Sequence, residues 1–103
     1  MTKRYILSPQ AVDDLNEIWR YIQLGRVHQS RTQIAEEFFK TFGLLEQFPR
    51  AGHPRVDLTS RPVLFFPVQK YMIVYQNTPE RIIIHAVLHS ARDLRRVLKE
   101  RPS

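Results

Sequence analysis

The chain has no cysteine. That excludes a disulfide framework and a thiolate metal site, and it fits a reducing compartment. It also lacks any run of about eighteen apolar residues, so no membrane-spanning helix is expected. The opening segment, MTKRYILSPQ, is without the continuous apolar stretch and small-residue cleavage site of a signal peptide. A cytoplasmic protein is the expectation. Glycine is scarce, at positions 25, 43 and 52 only, and no phosphate-binding loop or dinucleotide fingerprint is present. Repeats, low-complexity segments and interdomain linkers are missing too. At 103 residues the chain reads as a single domain over 1–103. A chain of this size buries roughly two thirds of its unfolded surface, enough for one modest core.

What the chain has in excess is positive charge, unevenly placed. Through Pro49, six cations face six anions; from Arg50 onward, ten cations face only Asp57, Glu80, Asp93 and Glu100. The whole net charge of +6 therefore belongs to the second half. Such a basic face attracts nucleic acid or an acidic protein, and the plainer alternative is a solvated basic surface.

Apolar periodicity gives the element order. Lys3–Leu7 reads as a strand. Ser8-Pro9 then provides an N-cap and a first-turn proline, with Asp13, Asp14 and Glu17 placed to favour the helix dipole. Ala11, Val12, Leu15, Ile18, Trp19 and Ile22 form the helical stripe, and Gly25 fits a left-handed C-terminal position. A second helix is predicted from near Ser30 to Gln47, with Ile34, Phe38, Phe42 and Leu45 as its stripe. Gly43 inside it suggests a close approach to the sheet or to the first helix. Arg50–Pro62 is irregular. Val63–Val68 is a strand that Pro67 moves to an edge or bulge, and Tyr71–Gln76, a turn at Asn77-Thr78-Pro79-Glu80 and Arg81–Leu88 make a hairpin. Ala91, Leu94, Val97 and Leu98 predict a short C-terminal helix or tail. The sum is an α+β domain, β-α-α-β-β-β, with a helical hairpin packed on a small, mostly antiparallel sheet.

In the last strand, strict alternation puts Ile82, Ile84, Ala86 and Leu88 on the face that the helices need. Ile83, His85, Val87 and His89 are then left on a face open to a partner. His85 and His89 share that face about 13 Å apart, too far for one metal ion, and no metal or other cofactor is expected. Two readings of the histidines stand together. With Arg61 and Arg92 they could serve acid–base cleavage of RNA, or His85 packs on the sheet while His89 caps a strand end. Asp93 either caps the last helix or anchors Arg55 or Arg61. Tyr71 and Tyr75 read as packing residues.

LSPQAVDDLNEIWRYI, FPRAGHPRVDL, KYMIVY and IIIHAVLHSARDL, in that order and spacing, resemble the ParE branch of the RelE/ParE toxins of bacterial type II toxin–antitoxin systems. The resemblance covers about residues 4–94. It implies a helical hairpin on a small sheet, a toxin that poisons DNA gyrase, and a cognate ParD-like antitoxin that wraps a largely helical segment around it in a hetero-oligomer. The related RelE branch cuts mRNA on the ribosome with basic residues and often a tyrosine near the C-terminus. Here the last tyrosine is Tyr75 and there are only four lysines; both features favour ParE. The expected target surface for gyrase or gyrase-bound DNA is Arg55, Arg61, His89, Arg92, Arg95 and Arg96. The antitoxin is expected over the helix exteriors and a sheet edge, its contact residues unassigned. A ribosome-dependent endoribonuclease using Arg61, His85, His89 and Arg92, and a non-toxic basic interaction module, are the alternatives.

Overall fold

The computed structural model describes residues 4–25 and 31–101. In chain order it has β1 (Arg4–Leu7), α1 (Pro9–Gln23), α2 (Arg31–Gln47), β2 (Leu64–Val68), β3 (Tyr71–Asn77), β4 (Arg81–His89) and α3 (Leu94–Glu100). The sheet order is β1-β4-β3-β2. Among the described residues, only the β1–β4 pair is parallel. The α+β arrangement and the mostly antiparallel sheet are as the sequence predicts, and the C-terminal segment is a helix. The expected start of the second helix, near Ser30, and the link before it lie outside the described residues.

Ser8 begins α1 as expected. Its Oγ accepts from the Ala11 amide at 3.1 Å and donates to the His85 carbonyl at 3.1 Å. Gly25 follows the helix at φ +72°, a conformation that glycine adopts without a Cβ penalty. The Ser8 hydroxyl thus satisfies a helix end and a strand carbonyl together. Ser8→Ala is expected to cost about 1–2 kcal/mol, read as a lower urea midpoint; an unchanged midpoint would contradict this role. Gly43 differs from expectation, because a Cβ built there meets nothing within 4 Å among the described residues.

The stripes of α1 and α2 meet the sheet through Ala11, Leu15, Ile18, Ile34, Phe38, Phe42 and Leu45. Val12, placed on the stripe by periodicity, is 41% exposed. The sheet side of this core is Tyr71, Ile73, Tyr75, Ile82, Ile84 and Val87, and here strict alternation fails. Tyr75 stands opposite Ile84, but Val74 stands opposite Ala86, so His85 is an extra residue in β4. The bulge inverts the facing of everything after it. Ala86 and Leu88, expected under the helices, instead join Val63, Phe65, Val74, Leu94 and Leu98 in a second core on the other face. That face, expected to be open, is covered by α3.

Each sheet edge is occupied in part. The Tyr5 amide on the outer flank of β1 donates to Glu46 Oε2 at 2.9 Å. Pro67 lies in the edge strand β2, as predicted for a residue without an amide proton. The neighbouring Phe65 exchanges two backbone bonds with His53, at 2.9 and 2.8 Å. An added strand would find these ladder positions taken.

Candidate functional site

After β4 the chain turns through Ser90, Ala91 and Arg92 into α3. The Ser90 amide donates to the Lys70 carbonyl at 2.8 Å, and the Arg92 amide to that of His89 at 3.0 Å. His89 Nδ1 accepts from the Ala91 amide at 3.1 Å, so it caps the strand end. Asp93 caps α3, accepting from the Arg96 amide at 3.2 Å. These bonds fix a tight turn that presents Arg92, Arg95 and Arg96, all exposed.

The expected basic surface is only partly unpaired. Arg55 forks onto Asp57 at 3.0 and 2.8 Å, and this bond holds the Asp57 carboxyl below the usual range. Arg95 Nε donates to the Asp57 carbonyl at 2.8 Å, tying α3 to the 50–62 loop. Arg96 pairs with Glu100 one helical turn on, at 3.1 Å. Arg61 is half-buried and donates to the Arg101 carbonyl at 2.6 Å. The Arg92 side chain has no hydrogen-bond or ion-pair partner among the described residues.

The four residues proposed for RNA cleavage are divided by the bulge. Arg61 and His85 line a pocket of about 310 Å³ beneath α3. His89 and Arg92 line a separate groove of about 550 Å³, with Tyr71, Val87 and residues of α1. The shared face expected for His85 and His89 is thus corrected: His85 lies with Ala86 toward α3, whereas the His89 ring meets Tyr71 edge-on in the other layer. His85 Nε2 is 3.0 Å from Gln76 Oε1. Burial, and then the Arg61 charge, lower its pKa, which keeps the imidazole neutral near pH 7. Tyr75, fully buried, donates to the Pro49 carbonyl and accepts from the Gly52 amide, both at 2.8 Å. Tyr71 is buried as well, so both tyrosines pack as expected. Among the described residues no three potential metal ligands cluster, and no helix is long and apolar enough to cross a membrane.

Sequence reasoning missed the network that joins the two sides. The first turn of α1 contains no acid. Asp14, assigned to the dipole, is instead buried and grips Arg101 bidentately at 2.9 and 2.6 Å. Asp14 Oδ2 also accepts from the Val87 amide at 3.0 Å. β1 reaches only as far as Ile84, so beyond it the flank of β4 has no strand. Ser8 and Asp14 of α1 satisfy that flank instead. The bond to Asp14 raises the Arg101 pKa further above its already high value.

Comparison with known proteins bears on this arrangement. The family model for the ParE toxin of type II toxin-antitoxin system, parDE, matches residues 5–94. Curated protein sequences gave no match. A solved structure of the chromosomal ParDE TA system from P. aeruginosa is similar, with a TM-score of 0.66 at 14% identity. The superposition covers 85% of this chain and 96% of that one. At that identity the likeness concerns the fold.

Proposed function

Because the chain belongs to the ParE toxin family of type II toxin–antitoxin systems, we propose that it arrests growth in the cytoplasm by binding and poisoning DNA gyrase. A cognate ParD-like antitoxin holds it inactive. The observation that carries this reading is the arginine-rich turn and helix after β4. Arg92, Arg95 and Arg96 are exposed within five residues, and the bonds of His89, Asp93 and Asp57 hold them in place. A rigid basic ridge suits an acidic protein surface or DNA backbone held by one. Separation of His85 from His89 supports binding over acid–base cleavage of RNA, which needs both proton-transfer groups at one phosphate.

The antitoxin covers the helix exteriors, where Tyr21, Leu24, Phe39 and Phe48 are between 44% and 62% exposed. Occupied ladder positions on β1 and β2 favour side-chain packing over strand addition.

Substitution tests the ridge more cleanly than truncation, because Leu94, Leu98 and Arg101 hold the fold together. Combined Arg92→Ala, Arg95→Ala and Arg96→Ala should raise the concentration needed to inhibit gyrase supercoiling by about ten- to a hundredfold. The melting curve should change little. Unaltered inhibition by the folded triple variant would remove the ridge from the mechanism. Ribosome-dependent mRNA cleavage by the parent protein, without any effect on gyrase, would replace this reading with the nuclease.

A further inference from the structure

The groove beside α1 holds more unanswered donors than a packing defect needs. Its floor is apolar, from Ile18, Tyr71 and Val87. At the β4 end, three donors have no acceptor among the described residues. One is the Tyr71 hydroxyl, a phenol that is protonated at neutral pH and whose pKa burial raises further. Another is His89 Nε2, which carries the ring proton because Nδ1 accepts from Ala91. The third is the Arg92 guanidinium. The opposite wall is acidic, but its two carboxylates are unequal. Asp14 is filled by Arg101 and the Val87 amide. Glu17 lies near enough to raise the pKa of Arg101.

We propose that this groove seats a single glutamate or aspartate flanked by apolar residues, supplied by the antitoxin. This rests on the toxin reading above and deepens it: neutralisation then occurs by covering Arg92, a residue of the target ridge. A carboxylate matches Arg92 in charge and all three donors in hydrogen-bond sense, and a guanidinium donates to it in a two-pronged geometry. The apolar floor takes the flanking side chains. A nucleic acid backbone fits less well, because its successive phosphates would run against Glu17 and across Ile18 and Val87.

The peptide acetyl-Leu-Glu-Leu-amide, titrated into the full isotope-labelled chain and followed by NMR, tests the site. Saturable shifts are expected at Tyr71, His89 and Arg92, with a dissociation constant of about 1–10 mM. The glutamine version of the peptide, and the Arg92→Ala variant with the original one, should each bind about tenfold more weakly. Tyr71→Phe keeps the ring in the core and should weaken binding about threefold with an unchanged amide spectrum elsewhere. Absence of saturable shifts overturns the proposal, as does equal binding of the glutamine peptide. Tighter binding of a short single-stranded oligonucleotide at the same residues would reassign the groove to nucleic acid. None of these results touches the gyrase measurement, so the two readings fail separately.

Discussion

Arg101→Ala is expected to lower the unfolding free energy by about 3–5 kcal/mol, the usual cost of removing one member of a buried pair. Its guanidinium and the Asp14 carboxylate are 18% and 6% exposed, and two short bonds join them. Without Arg101, Asp14 retains only the Val87 amide and is a buried anion lacking a counter-charge. Asp14→Asn should also destabilise, because it strands the guanidinium, though an amide oxygen can still accept from Val87. Arg101→Lys should recover part of the loss, keeping the charge without the fork. Replacing both partners with leucine should cost less than Arg101→Ala, since the desolvation of the charges vanishes with the pair and the remaining cost is the Val87 amide left without its acceptor. Urea denaturation of the set reads these differences directly. A loss below about 1 kcal/mol for Arg101→Ala would mean that the pair is solvated and holds nothing.

This clamp was hard to read because its members are 87 residues apart and each resembles a surface charge. One sign was nevertheless present. Asp14 sits three residues after Ala11 and four before Ile18, on the buried stripe of α1, and a carboxylate on such a stripe needs a cation. The helices, the hairpin and the edge position of Pro67 were legible because caps, periodicity and turn residues act locally. The bulge at His85 carries no such mark, since neither glycine nor proline accompanies it. Its sequence trace is the run Ala86-Val87-Leu88, apolar throughout and fit for a strand buried on both faces. Missing that one residue reversed the facing of the strand's second half and joined two histidines that the fold keeps apart. The basic ridge was visible as a count of arginines. Which of them are already engaged depends on the Asp57 and Glu100 carboxylates and two backbone carbonyls, and composition does not show that.

Gly52→Ala should be comparably costly, by about 3–5 kcal/mol. A Cβ at this position would lie 2.7 Å from a ring carbon of Tyr75, 2.8 Å from its hydroxyl and 2.9 Å from the Phe65 carbonyl. None of the three can yield cheaply. Tyr75 is fully buried, and the Phe65 carbonyl belongs to the β2 ladder and accepts from His53. Relief requires the loop to lift, which gives up the bond from the Gly52 amide to Tyr75 and strains the adjoining His53 bridge. Tyr75→Phe alone should cost about 1–2 kcal/mol through the lost hydroxyl bonds. It should not rescue Gly52→Ala, because the ring-carbon clash remains. The consequence extends to function, since the same loop carries Arg55 and the Asp57 carbonyl that holds Arg95. Gly52→Ala should therefore lose stability and target binding together, whereas the triple arginine variant loses binding alone. Full gyrase inhibition by a destabilised Gly52→Ala protein, measured well below its melting point, would show that the ridge does not depend on how the loop is seated.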